Sequence, residues 1–136
     1  MEIPPYANNP QEAVNAARAR AGKEGKRVAV VFGADWCPDC DAFKKALGHR
    51  LVMPVLEPSY EIVRVSIGDR DKNLDFMAQY GMTVDSGIPA VAVVEPDGSL
   101  VVAQLDGEFR NASSLLSVSE IVSFFQRWAP VRSGAG

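Results

Sequence analysis

The sequence predicts an α/β fold, a central mixed β-sheet sandwiched by α-helices, with an extra helix at the N-terminus. Three observations carry this. The run Arg27 to Phe32 is apolar and β-branched without alternation, the pattern of a strand covered on both faces. Segments of helical spacing separate it from further strands at Glu61 to Ile67 and Ala90 to Glu95, which calls for parallel pairing through right-handed crossovers. Finally, Pro96-Asp97-Gly98 reads as a tight turn into Leu100 to Leu105, so the last two strands form an antiparallel hairpin.

Each helix has its own signals. After an extended lead-in over residues 1–9, Asn9 is a helix cap, Pro10 suits the first position, and Glu12 stands where a capping-box carboxylate would. Ala13, Val14, Ala16, Ala17 and Ala21 supply the apolar stripe, ending near Gly22 and Gly25. Gly33 to Trp36 reads as a loop. The helix after it, from Cys37 to about Arg50, has helical spacing at Cys40, Phe43, Lys44 and Leu47, with Pro38 in its first turn where a missing N–H costs nothing. A helix is expected over Lys72 to Tyr80, closed by Gly81. The last runs through Ile121, Val122, Phe124, Phe125 and Trp128 after a cap at Ser117 or Ser119, and the tail over residues 130–136 reads as loose.

The whole chain of 136 residues is the size of a single domain, and 47% hydrophobic residues are enough to build a core without a metal or disulfide staple. A charged fraction of 23% is ordinary for a globular protein. Fourteen Lys and Arg against seventeen Asp and Glu give a net charge of −3, which offers no footprint for nucleic acid or anionic lipid. No apolar run approaches the roughly 20 residues of a membrane span. The opening residues carry no basic segment followed by an apolar one, so the sequence as written reads as cytoplasmic, or as an exported protein whose leader has been removed. Nothing in the composition requires more than a monomer.

The chemistry lies in Val30-Val31-Phe32-Gly33-Ala34-Asp35-Trp36-Cys37-Pro38-Asp39-Cys40. Cysteines at i and i+3 in the first turn of a helix share one face, close enough to bridge. The first sits where unpaired N–H groups and the positive end of the helix dipole favour a thiolate. A CxxC between strand and helix in a β/α pattern implies thiol–disulfide exchange. Cys37 would attack a substrate disulfide, and Cys40, less exposed, would resolve the mixed disulfide. A zinc site is disfavoured, because only His49 lies near the two cysteines where four ligands are usual. His49 itself reads as a surface or satisfied core residue.

These residues resemble the thioredoxin superfamily over about Lys26 to Trp128. Trp36 to Cys40 matches the WCxxC motif, Gly87-Ile88-Pro89 falls where the family carries a cis-proline, Tyr80-Gly81 matches the end of the preceding helix, and Gly107 follows the last strand. The details are also similar to bacterial thioredoxin-like proteins, some labelled disulfide isomerases, with a long lead-in helix. The resemblance implies the thioredoxin fold, with Pro89 cis beside the cysteines and the Ile88 backbone pairing with an extended substrate segment. Residue chemistry alone leaves Pro89 an ordinary trans proline, since only about 5–6% of X–Pro bonds are cis. Trp36 would shape the rim, with Pro38 and Asp39 also lining the substrate site.

Two departures from ordinary thioredoxins stand out. The buried carboxylate that the family often places six residues before the first cysteine is replaced by Val31, leaving Asp39 or a water to take the Cys40 proton. Thr83 to Ser86 lengthens the approach to Pro89, so the groove should differ. Asp35, Asp39 and Asp41 bracket the cysteines with no His or Lys between them. Negative charge near a thiolate raises its pKa, which favours a reductant or a moderate-potential isomerase over a strong oxidase. Those aspartates read equally well as helix N-terminal surface charges.

The expected activity is therefore reduction or isomerisation of protein disulfides through a Cys37–Cys40 couple, with a separate redox partner and with neither cofactor nor metal. A thioredoxin-fold adaptor with little turnover is the alternative from another class. A peroxide-type small-molecule enzyme would need an acidic Cys37 thiolate, which the aspartates oppose.

Overall fold

The computed structural model describes residues 2–109, 112 and 117–130; the expected loose tail over residues 131–136 falls outside them. Helices α1 (Pro10–Glu24), α2 (Pro38–Leu47), α3 (Met53–Leu56), α4 (Leu74–Ala78) and α5 (Val118–Arg127) surround strands β1 (Arg27–Gly33), β2 (Tyr60–Ser66), β3 (Ala90–Val94) and β4 (Leu100–Ala103). The strands form one mixed sheet in the order β2-β1-β3-β4.

Local chemistry sets most of these boundaries. The Asn9 side chain accepts from the Glu12 N–H at 3.2 Å, and Gly25, left-handed at φ 70°, closes α1. Ser117, not Ser119, caps α5 by accepting from Glu120 N–H at 3.2 Å. The β3–β4 turn closes through Gly98 N–H to Glu95 O at 2.8 Å, with Gly98 at φ 92°.

Alternation along β1 divides the core. Val28, Val30 and Phe32 face a cluster with α1 and with Phe76 and Met77 of α4, whereas Ala29 and Val31 face Phe43, Leu47, Leu56, Ile121 and Phe125 of α2, α3 and α5. Helices thus cover both faces of the sheet, as expected, with α1 the additional N-terminal helix.

Several elements depart from the expectation. β1 pairs parallel with β2 but antiparallel with β3, although a helix precedes β3. The reason is that α4 is a five-residue helix, too short to carry the chain the length of the sheet. Ile67 N–H bonds Gly33 O just beyond β2, and Ala90 pairs with Phe32, so the chain enters β3 at the end where it left β2. The helix expected to reach Arg50 stops at Leu47. Lys44 is exposed, leaving Cys40, Phe43 and Leu47 as its buried stripe, and the short α3 follows. Helix α4 begins at Leu74 rather than Lys72 because Asn73 is left-handed (φ 57°) and spends its side-chain amide on Ser66 O, 2.7 Å away. Strand β4 ends at Ala103, short of Leu105, and a single 3₁₀ turn spans Val84–Ser86.

The lead-in is seated on the sheet. Tyr6 forms a parallel bridge with Arg64 of β2, Ala7 N–H donates to Arg64 O at 2.8 Å, and Arg64 Nη1 donates to Pro4 O at 3.1 Å.

Candidate functional site

The site forms where β1 ends and α2 begins. Cys37 is the N-cap of α2, in extended backbone, and its Sγ accepts from the Cys40 N–H at 3.2 Å. A sulfur in that position meets the unpaired N–H groups of the first turn, which are donors to any negative charge it carries. Cys40, one turn on, is unbridged, and its thiol donates to Cys37 Sγ across 2.6 Å. Expectation made Cys40 the less exposed of the two. In fact each is 4% exposed, because both are embedded in the cluster that also holds Ala34 and Ile88.

Their surroundings nevertheless differ. Burial pushes the Cys40 thiol strongly up, helped by its hydrogen bond to Cys37 and slightly by the Cys37 and Asp39 charges, while a hydrogen bond involving the Ala34 backbone pulls the other way. Deprotonating Cys40 in place is thus costly. Val31, at the position where a carboxylate was absent from the sequence, is packed in the cluster on the opposite face of the sheet.

The Ile88–Pro89 peptide is cis, after Gly87 at φ 91°, and both residues are buried. Ile88 belongs to the cysteine cluster. Trp36 stands out from the surface at 46% exposure, held by its indole N–H on Gly68 O at 2.6 Å and by the Arg70 guanidinium 5.4 Å from the ring centroid. Pro38 is exposed and Asp39 half-buried in the first turn of α2. His49 takes no part: its Nδ1 accepts from Leu51 N–H at 3.0 Å. Among the described residues, no three His, Cys, Asp or Glu side chains gather as a metal site, and no helix is long and apolar enough to cross a membrane.

Three residues that sequence reasoning left out belong to this region. Gly33, assigned to a loop, is the last residue of β1 and pairs with Ser66. The point that a β-carbon on residue 33 would occupy lies 2.7 Å from Tyr6 Oη, 3.2 Å from Cys40 Sγ and 3.3 Å from Cys40 Cβ. A bare glycine is what admits both side chains. Arg64, 5% exposed, lies over the Tyr6 ring with its guanidinium carbon 4.0 Å from the centroid. The available signal was Arg64 itself, a charge set within the apolar run Ile62-Val63-Arg64-Val65, which requires a partner when buried.

Comparison with known proteins follows the same lines. The model of a thioredoxin-like family matches residues 9–96. No curated protein matches. Among solved structures, a disulphide isomerase from Xylella fastidiosa Temecula1 is 32% identical over 93% of this chain and 97% of its own, with a TM-score of 0.81. The DsbD C-terminal domain of Neisseria meningitidis in the oxidised form is 17% identical over 90% of this chain and 98% of its own, at TM-score 0.68. A Thermus thermophilus thioredoxin is 21% identical over 93% of this chain and 87% of its own, at TM-score 0.63. The last two share the fold.

Proposed function

Because the chain belongs to the thioredoxin-like family, we propose that it is a thiol–disulfide oxidoreductase that reduces or isomerises protein disulfides, with Cys37 as nucleophile and Cys40 as resolving thiol. The observation that carries this reading is the cysteine pair itself: Cys37 Sγ at the N-terminus of α2 with the Cys40 thiol 2.6 Å away. The likeness to a disulphide isomerase along 93% of the chain supports it.

In the forward direction, the Cys37 thiolate attacks one sulfur of a substrate disulfide. A Cys37–substrate bond forms, the substrate disulfide breaks, and the other substrate sulfur leaves as a thiolate. Cys40 then loses its proton and attacks Cys37 Sγ, forming the Cys37–Cys40 disulfide and releasing the second substrate sulfur. Two electrons pass from the cysteine pair to the substrate, so no organic cofactor is called for. A dithiol redox partner returns the pair to its starting state. Ile88 and Pro89 hold the extended substrate backbone beside Cys37, and Trp36, Pro38 and Asp39 form the rim around it. The protein works as a monomer.

The test is insulin reduction driven by dithiothreitol, which this protein should accelerate above background. An unchanged background would leave a protein-binding module in place of an enzyme. The reduction potential of the Cys37–Cys40 couple, read by thiol alkylation across redox buffers, gives the direction. A value near or below about −250 mV marks an electron donor, and one near about −180 mV marks an isomerase.

A further inference from the structure

The lead-in reaches the cysteine site by way of Tyr6. Its hydroxyl and the Cys40 sulfur converge on the bare Cα of Gly33, within 2.7 and 3.2 Å of one point. The ring is fixed from the other side by the buried Arg64, which also binds Pro4 O, and the adjoining backbone is fixed by the Ala7–Arg64 hydrogen bond. A segment of nine residues that served only to begin a helix would not need this anchorage.

The geometry points to Tyr6 as a positioning residue for Cys40: its hydroxyl shares the space over Gly33 with the sulfur that must carry negative charge when the mixed disulfide is resolved, and would turn to donate to it in that step. This rests on the oxidoreductase reading above. The chemistry fits the position. A buried thiolate is costly, the Ala34 backbone offsets only part of that cost for Cys40, and each further hydrogen bond to a charged acceptor recovers more of it. Burial, offset in part by Arg64, holds the phenol pKa up at about 12, so near neutral pH Tyr6 keeps its proton and acts as a donor, not a base. The charged and titratable groups facing this pair are Cys37 and Asp39 on α2, Asp35 in the loop before it, and Arg64 on β2. Only Arg64 is cationic, and it lies over the face of the Tyr6 ring. In the step concerned, Cys40 gives its proton to water, its Sγ attacks Cys37 Sγ, and the substrate sulfur leaves with the bonding electrons and is protonated by solvent. Tyr6 exchanges no proton; it lowers the energy of the charged sulfur in between.

The experiment is stopped-flow reaction of the reduced protein with 5,5′-dithiobis(2-nitrobenzoate). Attack by Cys37 releases one thionitrobenzoate in a concentration-dependent phase, and resolution by Cys40 releases the second in a concentration-independent phase. Tyr6→Phe keeps the ring under Arg64 and removes only the hydroxyl. The expected result is a second phase slowed by about tenfold, with its rise against pH displaced upward, and a first phase unchanged. A second phase at the unaltered rate, or both phases slowed in proportion, would overturn the assignment and make Tyr6 a structural residue. The reagent concentration is raised until the first phase outruns the second; if the unmodified protein releases only one thionitrobenzoate, the oxidoreductase reading itself fails, and this inference with it.

Discussion

Arg64 and Tyr6 hold each other in place: the guanidinium carbon lies 4.0 Å from the centre of the phenol ring, and the same side chain reaches the Pro4 carbonyl at 3.1 Å. A buried arginine in a strand, 5% exposed, thereby finds a π-face and a carbonyl in place of a carboxylate. Replacing it with Leu removes both contacts. Arg64→Leu is expected to cost about 1–3 kcal/mol in denaturant unfolding and to speed proteolysis within residues 2–9. Arg64→Lys should restore little, because an ammonium lacks the planar face. Unaltered protection of the lead-in in the Leu variant would show that the backbone bridge alone suffices.

Gly33→Ala tests the close approach beside the cysteines. The added methyl would stand 2.7 Å from Tyr6 Oη and 3.2 Å from Cys40 Sγ, so the expected loss is about 1–3 kcal/mol. In a Tyr6→Phe background the cost should shrink without vanishing, since the Cys40 contacts persist. A double-mutant cycle on unfolding free energies reads this coupling, and strict additivity would argue against the shared space.

The cysteine roles separate by trapping. Cys37→Ser should abolish exchange with a model disulfide. Cys40→Ser should accumulate mixed disulfides that survive acid quenching and appear as adducts by mass spectrometry. An absence of adducts in the second variant would count against the assigned order of attack.

Alkaline stability follows from burial of the phenols. Burial raises Tyr6 to about 12 and pushes Tyr60 and Tyr80 upward as well, with Arg64, Arg27 and Arg18 respectively pulling back. Unfolded tyrosines ionise near pH 10. The folded state therefore binds these protons more tightly, and the stability they supply is whole below about pH 10 and lost as pH climbs towards their folded values. The Cys40 thiol, also raised by burial, begins its own loss once an unfolded thiol titrates, near pH 8.5. Thermal melts should show Tm easing downward from about pH 8.5 and dropping steeply between about 10 and 12. Tyr60→Phe should flatten part of that drop while losing the hydrogen bond to Phe125 O. A Tm that stays level to pH 12 would contradict the account.

What the sequence made legible was whatever is decided within a few residues. Asn9 and the Pro96-Asp97-Gly98 turn act on their own neighbours, so their chemistry could be read directly, and the helix ends at Gly25 and Ser117 were narrowed to two candidates each, Gly22 or Gly25 and Ser117 or Ser119. The cysteine pair is of the same kind, because i and i+3 on a helix share a face whatever lies around them. Pro89 needed a family pattern to be read as cis. The rest turns on residues far apart in the chain. Arg64 and Pro4 are 60 positions apart, and nothing near either announces the other. The direction of β3 depended on how far α4 could carry the chain, which Asn73 limits by bonding Ser66 O instead of capping a longer helix. Gly33 looked like a loop glycine, and its importance appears only when two side chains from different parts of the chain meet over it.

Strand β2 has β1 on one side and, at Arg64, the lead-in on the other. A bare outermost strand offers its amide and carbonyl groups to any passing chain, the usual start of edge-to-edge aggregation. Here Ala7 already occupies the Arg64 carbonyl, and Pro4 and Pro5 ahead of it have no N–H with which to recruit another strand. The segment that brings a hydroxyl to Cys40 thus also acts as a fender at this point, keeping one copy from extending the sheet of the next.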